Sequence, residues 1–333
     1  SSILSPGTKK MNKENKLIPG LPSGFEDRWS KKLILKKKLI NIIENNFIKF
    51  GFDPLETPSF EISENIGSFL ANDEGNPMSD VFSFQDGEKN ITLRYDLSSP
   101  LARFVAQNNQ ELALPYKRYA IQNVFRNEKA GNARYREFTQ ADCDIVGNVK
   151  PAQANAELCN LIVSTFFACG LKKDQFFVNI SNRKIVQGLI EELKISEDKK
   201  IKVMRAIDKL DKPGFGLRGV EDLLKKERID RSGAVTKGAD LTDDEASQII
   251  NFLKVKDLKE LKENLKNPLS QEGVQELEDL LEVASYGDYP DQIKTNFTIV
   301  RGLDYYDGFC VETSLNFKTT NNKGKEVDVG SLA

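Results

Sequence analysis

The run YKRYAIQNVFRNEKAGNARYREFTQADCDIV occupies residues 116–146. Residues 116–126 and residues 137–146 each have the aromatic and β-branched content of a strand. The residues between them are mostly polar and include two asparagines and one glycine, which is typical of a loop. Two successive strands joined in this way pair antiparallel, so the sequence predicts an α+β fold and not a βαβ arrangement.

The second of these strands has two unlike faces, because side chains alternate along a strand. One face holds Phe138, Gln140, Asp142 and Asp144, and the other holds Ala141, Cys143 and Ile145. The apolar side is a core face. The polar side is ordinary wherever a sheet meets water, so this strand alone fits a solvated surface and a binding site equally well.

The loop between the two strands carries three arginines, Arg126, Arg134 and Arg136. A guanidinium group keeps its charge and grips phosphate oxygens with two parallel hydrogen bonds, so a cluster of them suits a polyphosphate ligand. A surface network of ion pairs with Glu128 and Glu137 is the alternative. The arginines alone do not separate the two interpretations.

The composition excludes several kinds of chemistry. The chain has 333 residues, a formal net charge of −2 and no histidine, which rules out a histidine base, a Ser-His-Asp triad and a histidine-ligated metal. The four cysteines lack C-x-x-C spacing, so reduced and buried thiols are predicted in place of a zinc site or disulfides. Catalysis is therefore expected to rest on carboxylates, arginines, lysines and tyrosines, with no metal site built from protein groups alone.

The sequence also bears on location in the cell. It has no apolar run of about 18 residues, the length that a membrane span needs. Residues 1–16 are polar and rich in lysine, without the apolar region of a secretory signal. These features predict a cytoplasmic protein that does not enter a membrane.

A long amphipathic helix is predicted upstream, from Ser30 to Phe50, with Ser30 as its N-cap and Gly51 as the residue that ends it. Its apolar residues recur at helical spacing: Leu33, Ile34, Ile40, Ile43, Phe47 and Phe50. Extended chain follows around Pro54 and Pro58, because proline disfavours helix.

The remaining pattern divides the chain into parts. Paired strands are predicted over residues 81–84 and 91–94, and a helix opens at Ser98. Charged helical segments begin near residue 183 and include a capping box at Thr242-x-x-Glu245. Strands return over residues 297–301 and 309–313, with a hairpin at 321–324. We therefore predict three parts: a disordered lead-in over 1–16, a core formed by 17–182 and 294–333, and a helical insertion over 183–293.

Four segments resemble motifs of the class II aminoacyl-tRNA synthetases in their histidyl form. Phe125-Arg126-x-Glu128 with Arg134-x-Arg136-x-Phe138-x-Gln140-x-Asp142-x-Asp144 resembles motif 2. Leu93-Arg94-Tyr95-Asp96-Leu97-Ser98 resembles the amino-acid-binding loop, and Arg301-Gly302-Leu303-Asp304-Tyr305-Tyr306 resembles the signature of histidyl-tRNA synthetases. Residues 57–61 are similar to the end of motif 1. All four follow the family's order between residues 19 and 313.

The resemblance implies an antiparallel sheet of six or seven strands flanked by helices, a helical insertion, and a homodimer whose interface motif 1 builds. It also implies a two-step reaction. The carboxylate of histidine attacks the α-phosphorus of ATP and expels pyrophosphate, and the histidyl group then passes from the adenylate to tRNA(His). Because both steps develop charge on phosphate oxygens, fixed cations and ATP-bound Mg²⁺ can carry much of the catalysis.

The motif positions imply a role for each residue. Arg126 and Arg301 would act at the α-phosphate as catalytic residues. ATP would be bound by Arg126, Glu128, Arg134 and Phe138, with Phe138 stacked on the adenine. Histidine would be bound by Asp96, Ser98, Gln140, Asp144, Arg301 and Tyr306, with Asp144 and Tyr306 at the imidazole nitrogens, a pairing that rejects isosteres unable to hydrogen-bond.

The sequence given ends at Ala333, where the family continues into a glycine-rich strand, motif 3 and an anticodon-binding domain. We therefore expect a fragment of a longer protein, inactive or weak in aminoacylation by itself. The alternative is a non-catalytic paralogue, such as the histidine-sensing regulatory subunit of ATP phosphoribosyltransferase, which shares the fold and usually lacks the anticodon domain. The segment from Arg301 to Tyr306 and the arginine set favour the synthetase, since a sensor has no transition state to stabilise.

Overall fold

The computed structural model describes residues 19–66, 81–128, 135–211, 215–229, 235–300, 307–320, 324 and 326–332. The strands within them are β1 (Asp53–Pro54), β2 (Phe60–Ile62), β3 (Ser83–Asp86), β4 (Lys89–Leu93), β5 (Tyr116–Phe125), β6 (Glu137–Val146), β7 (Phe176–Asn182), β8 (Arg228–Ile229), β9 (Val235–Thr236), β10 (Ile293–Thr295), β11 (Phe309–Thr320) and β12 (Glu326–Leu332). The α-helices are α1 (Ser30–Lys49), α2 (Ser98–Asn108), α3 (Pro151–Ala168), α4 (Arg183–Glu192), α5 (Glu197–Ile207), α6 (Gly216–Lys225), α7 (Asp243–Phe252), α8 (Leu258–Asn264) and α9 (Pro268–Ala284).

The hairpin predicted from residues 116–146 is confirmed. β5 and β6 pair antiparallel along their whole length, with Arg118 opposite Asp144 and Ala120 opposite Asp142. The face opposite the predicted polar row packs against α1 and α3 through Tyr119, Ile121, Cys143 and Ile145. The alternation counted along the sequence therefore holds, and it leaves Gln140, Asp142 and Asp144 on the side away from these helices.

Helix α1 has the predicted length but begins differently. Gly51 follows it with a φ of +79°, the left-handed conformation in which glycine commonly ends a helix, as predicted. The prediction of Ser30 as N-cap is wrong. Trp29 has the extended conformation of a cap, whereas Ser30 is the first helical residue, with a φ of +51°.

The predicted apolar stripe of α1 is buried in its C-terminal half. Phe47 is buried against α3 and β5, and Ile43 packs beside it. Towards the start of the helix, Ile34 is 57% exposed, and its neighbours Leu35 and Leu39 are exposed as well. The first turns of the helix therefore present apolar side chains on the surface of the chain.

The strands form a three-stranded sheet in the order β1-β5-β6 and a four-stranded sheet in the order β10-β7-β11-β12. Together they have seven strands, counted over the described residues, which agrees with the six or seven expected, but the strands lie in two sheets where one was expected. Most pairs are antiparallel, while β1 is parallel to β5 and β10 is parallel to β7. A further sheet, β2-β4-β3, contains the predicted pair around Gly87, with β3 beginning two residues later than expected.

The strand predicted over residues 297–301 is wrong for residues 297–300, and residue 301 lies outside the described residues. The strand in this region is β10, which ends at Thr295. The Asn296 side chain then accepts hydrogen bonds from the backbone N–H and the hydroxyl of Thr298, at 3.2 and 2.7 Å, and turns the chain away from the sheet. Phe297 and Val300 are buried in the core without strand pairing. The predicted hairpin after β11 is confirmed by the pairing of β11 with β12, although its residues 321–323 lie outside the described residues.

The charged segment after residue 183 is helical, as predicted. Its helices α4–α9 share one hydrophobic core with α3 and with the central strand β7, whose Phe176, Val178 and Ile180 are fully buried. The predicted capping box is present, with Thr242 and Glu245 bonding each other's backbone N–H groups. The division into a core and an insertion stays a prediction.

Cys159 and Cys310 are buried, whereas Cys143 and Cys169 are partly exposed, so the predicted burial holds for two of the four thiols. No helix among the described residues is long and apolar enough to cross a membrane.

Candidate functional site

The candidate site is the side of the β5–β6 hairpin that faces away from α1 and α3. Its members, called the polar face below, are Arg118, Phe138, Gln140, Asp142 and Asp144. Residues 94–97 run along this hairpin. The backbone N–H of Phe125 donates to the carbonyl of Arg94 at 3.0 Å, and Leu97 packs against Ala120, Val124 and Phe138. The segment that resembles the amino-acid-binding loop is therefore brought to the segment that resembles motif 2.

The Arg94 side chain holds residues 94–97 against the hairpin. Its side chain is 3% exposed and donates to three backbone carbonyls, those of Asn123 at 2.7 Å, Thr57 at 2.8 Å and Pro58 at 3.3 Å. Burial lowers the pKa of the Arg94 guanidinium. The end of the motif 1 segment, the loop and β5 are thus joined by one side chain.

Arg126 lies between two aromatic rings at the end of β5. The central carbon of its guanidinium is 4.5 Å from the ring centre of Tyr95 and 5.1 Å from that of Phe138. Its Nε donates to the carbonyl of Tyr95 at 3.4 Å. Stacking on rings holds the planar cation in one orientation while leaving its remaining N–H groups available to an anion. The half-buried Phe138, predicted to stack on adenine, lies in contact with the arginine that is predicted to act at the phosphate.

Glu128 is held beside this pair. Its carboxylate accepts from the Tyr95 hydroxyl at 3.3 Å, and its carbonyl accepts from Nε of Arg136 at 2.8 Å. Arg126 and Arg136 each donate to a backbone carbonyl and lie over an aromatic ring, contacts that a surface network of ion pairs with Glu128 and Glu137 does not require.

The carboxylates of Asp142 and Asp144 share one cation. Nη2 of Arg118 is 3.1 Å from Oδ2 of Asp142 and 2.9 Å from Oδ2 of Asp144. Burial, followed by the charge of Asp142, raises the pKa of Asp144 to about 7, while Arg118 opposes that rise. Burial likewise raises the pKa of Asp142. The site therefore holds two neighbouring carboxylates, and one of them, Asp144, gains or loses a proton near neutral pH.

Several polar atoms of this face have no hydrogen-bond partner among the described residues. They are Nε and Nη1 of Arg118, Oε1 of Gln140 and Oδ2 of Asp144, all shielded from water. Buried polar atoms are nearly always satisfied in proteins, so a group of unsatisfied donors and acceptors in one place is typical of a binding site. Oε1 of Gln140 is the acceptor in this set for an N–H-bearing guest, since Oδ2 of Asp144 lies against Arg118.

Asp96 and Ser98 have a structural role in addition to the predicted one. One carboxylate oxygen of the buried Asp96 accepts from the backbone N–H of Ser99 at 3.0 Å, in the first turn of α2. Ser98 is the first residue of that helix and is half-buried. The charge of Asp96 also reaches the two carboxylates of β6 and contributes to their raised pKa values.

Three predicted site residues, Arg134, Arg301 and Tyr306, lie outside the described residues. Of the others, Arg126, Glu128 and Phe138 gather at one end of the hairpin, and Gln140 and Asp144 follow along the same strand. The sequence did not indicate Arg118 or Tyr95 as site residues. Counting by twos along β5 places Arg118 and Ala120 on one face, but the pairing of that face with Asp144 depends on register, which local sequence does not give.

A cavity of about 810 Å³ opens on the other face of the hairpin. It lies between α1, the extended chain around Thr57 and the outward side chains of Asn123, Glu137 and Thr139, and it contains no predicted site residue. Lys36 of α1 reaches into it and bonds the hydroxyl of Thr139. No group of three or more Asp, Glu, Cys or His that could hold a metal occurs in the part of the chain that the structure describes.

Comparison with known proteins identifies the family. A sequence model described as histidyl-tRNA synthetase matches residues 24–315. The chain is 86% identical over 322 residues to the histidine–tRNA ligase of Pelagibacter ubique, which covers 97% of this chain and 69% of that protein. It is 42% identical to the histidine–tRNA ligase of Rhizobium leguminosarum, over 97% of this chain and 65% of that protein. The chain thus spans about two thirds of the length of the curated relatives it matches.

Solved structures agree with this. The chain resembles the crystal structure of histidyl-tRNA synthetase from a Nostoc species with a TM-score of 0.72 and 26% identity, over 90% of this chain and 66% of that one. A structure described as an ATP phosphoribosyltransferase regulatory subunit/histidyl-tRNA synthetase from Bacillus halodurans has a TM-score of 0.74 over 95% of this chain and 76% of that one; at 20% identity it shows the fold alone. The predicted class II fold is confirmed. The family's sequence model covers most of this chain, and a relative is identical to it at 86% of the aligned residues. The chain therefore belongs to the histidyl-tRNA synthetase family.

Proposed function

We propose that the protein containing this chain is a histidine–tRNA ligase, which activates histidine with ATP and transfers it to tRNA(His). Membership of the family and the names of the relatives support the reaction class. The observation that carries the proposal further is the polar face itself. An arginine that lies over two aromatic rings and a pair of half-buried carboxylates lie along one side of a single hairpin.

The end of the hairpin with Arg126 suits ATP, and the carboxylates along β6 suit histidine. Arg126 offers a fixed cation for the α-phosphate, where negative charge develops as the histidine carboxylate attacks. Glu128 and Phe138 beside it would hold the adenine, together with Arg134. The Mg²⁺ that accompanies ATP would be held by the phosphate oxygens and would add to the same charge stabilisation. The attacking carboxylate is already ionised, so the activation step needs no protein base, which agrees with a chain without histidine.

The histidine substrate would lie along β6. Asp144 is the proposed acceptor for one imidazole N–H, with Tyr306 at the other ring nitrogen. Gln140 would receive the α-amino group through its unsatisfied Oε1, with Asp96 and Ser98 next to it. Arg301 would lie between the substrate carboxylate and the α-phosphate. An ionised carboxylate aimed at a ring N–H discriminates strongly against substrates that lack that donor.

We also propose that the protein acts as a cytoplasmic homodimer. The exposed apolar side chains Ile34, Leu35 and Leu39 of α1 support a covered surface on this helix. Phe60 and Phe84, which contact each other edge to face, are about half exposed on the small sheet nearby. Measurement of molar mass by light scattering tests the dimer, and Leu35→Lys with Leu39→Lys should shift it to monomer.

Isothermal titration calorimetry on the 333-residue chain tests the proposal. Histidine should bind the wild type and should bind Asp144→Asn at least about tenfold more weakly, because a charge-assisted hydrogen bond to the imidazole is lost. Asp288→Asn, an exposed carboxylate far along the chain, is the matched control and should bind as wild type does. Histidine-dependent exchange of pyrophosphate into ATP, measured on a full-length version of the protein, separates a ligase from a sensor. Absence of histidine binding by the wild type would contradict the proposed function.

A further inference from the structure

Arg118 is unusual among the charged residues of the chain because its side chain is 1% exposed. It lies on β5, directly opposite Asp144 of β6. A buried cation is costly unless charges of opposite sign surround it, and here two carboxylates lie within ion-pair distance of one of its nitrogens. Its position is therefore tied to the two aspartates of the polar face.

Only some of the N–H donors of Arg118 have an acceptor among the described residues. The two N–H groups of Nη2 go to the carbonyl of Leu97 at 2.8 Å and to Oδ2 of Asp142 at 3.1 Å. The same nitrogen lies 2.9 Å from Oδ2 of Asp144 and forms an ion pair with it, but no hydrogen bond. Nε and Nη1 have no partner among the described residues. An arginine that served packing alone would be expected to use these donors within the fold.

Because of this contact, the two oxygens of the Asp144 carboxylate have different surroundings. Oδ2 is shielded from water against the guanidinium, yet the side chain as a whole is 28% exposed. The exposed part must then include the opposite side of the carboxyl group. Arg118 thus anchors one oxygen and leaves the other directed to the outside of the hairpin.

Charged and titratable groups face Arg118 from each neighbouring element. They are Asp142 and Asp144 on β6, Asp96 in the segment before α2, Tyr116 on β5 and Asp53 on β1, while the Cys143 thiol lies on the opposite face of β6. Without the guanidinium, three carboxylates would repel one another in a buried setting. Arg118 opposes that repulsion and lowers the pKa of Asp144 towards its usual range, whereas burial and Asp142 raise it. The anionic form of Asp144, which accepts hydrogen bonds only, is the form that suits an imidazole N–H.

We propose that Arg118 is a positioning residue for histidine recognition, which anchors Oδ2 of Asp144 and keeps that carboxylate ionised so that its other oxygen accepts from the imidazole of the substrate. This inference rests on the proposed function and assigns its specificity to a side chain that does not touch the substrate. It acts through Asp144, and through Asp142, which completes the ion-pair cluster.

Calorimetric titration with histidine and, separately, with ATP tests this on the 333-residue chain between about pH 5.5 and about pH 8.5, a range that spans the titration of imidazole. Arg118→Gln should weaken histidine binding by about tenfold or more at neutral pH and move the acid-side midpoint of binding to higher pH. Arg118→Lys keeps the charge and should keep that midpoint near the wild-type value. The exposed Arg218→Gln is the control, and ATP affinity should not change in any variant.

A structural role for Arg118 would not move the pH midpoint. If folded Arg118→Gln binds histidine with the wild-type affinity and midpoint, the inference is overturned while the proposed function stands. Should near-ultraviolet circular dichroism show that this variant is unfolded, Arg118→Gln with Asp142→Asn keeps the net charge of the cluster. That double variant should lose histidine affinity about tenfold with ATP affinity intact, and wild-type histidine affinity in it would overturn the inference. A wild type that does not bind histidine overturns the proposed function itself.

Discussion

Arg118 and Asp144 are cross-strand partners, and Nη2 of the arginine lies 2.9 Å from Oδ2 of the aspartate. The pair connects the fold to the chemistry. The same register that pairs β5 with β6 places a buried cation under the carboxylate that the motif resemblance assigns to substrate binding.

The raised pKa of Asp144, about 7, makes stability depend on pH. Between the usual aspartate value of about 4 and about 7, the folded chain binds a proton here that the unfolded chain does not. The free energy of unfolding contributed by this group is therefore highest at acid pH and falls as the pH rises through that window, by about 1.4 kcal/mol for each unit of the pKa difference. Asp144→Asn should flatten the pH dependence in urea titrations, and Asp288→Asn should not. An unchanged slope in Asp144→Asn would contradict the prediction.

Arg126 is predicted to hold the phosphates of ATP through its planar fork. Arg126→Lys keeps the charge but loses both the two-pronged geometry and the stacking between Tyr95 and Phe138. ATP affinity should fall by about tenfold or more, while histidine affinity changes little. The exposed Arg218→Lys serves as control in the same calorimetric titration. Equal ATP affinity in Arg126→Lys and in the wild type would remove Arg126 from the proposed site.

Arg103 and Glu61 form a two-pronged ion pair, with N–O distances of 2.7 and 2.9 Å, and the glutamate side chain is 4% exposed. Arg103→Ala leaves that buried carboxylate without its partner and should cost about 3 kcal/mol of unfolding free energy. Arg103→Met with Glu61→Leu removes both charges and should recover most of the loss. Urea unfolding of both variants measures this, and a single variant as stable as the wild type would show that the pair contributes nothing.

Gly188 sits where α4 crosses α9. A Cβ atom at this position would lie 2.5 Å from the backbone nitrogen of Ser270 and would also overlap its hydroxyl. Because backbone cannot move aside as a flexible side chain can, Gly188→Ala should destabilise the chain by about 1–3 kcal/mol. Gly20→Ala, whose added atom would meet nothing within 4 Å, is the matched control. Equal melting temperatures for the two variants would contradict the described packing.

The sequence predicted those features that local periodicity controls. The alternation along residues 137–146 gave the correct strand and the correct polar face, and Gly51 marked the end of α1. The predictions failed where one side chain or one residue's backbone conformation determines where an element begins or ends. The Asn296 side chain turns the chain where apolar content predicted a strand, and Trp29 takes the cap position predicted for Ser30.

The candidate site shows the same division. Motif positions named Arg126, Phe138 and Asp144, because their spacing is visible along one strand and its loop. The stacking of Arg126 on Tyr95 and the ion pair of Arg118 with Asp144 join residues that only strand register and the path of residues 94–97 bring together. Local sequence carries no signal for either contact, so the residue beneath the carboxylates could be found only in three dimensions.

The central claim is that histidine binds on the polar face of the β5–β6 hairpin. Isotope-edited NMR with ¹³C,¹⁵N-labelled histidine and the 333-residue chain tests it most directly, through nuclear Overhauser contacts from the imidazole protons. We predict contacts to the side-chain protons of Gln140 and Asp144. Contacts to Lys36 and Thr139 instead would locate the ligand in the cavity on the opposite face and would contradict the claim.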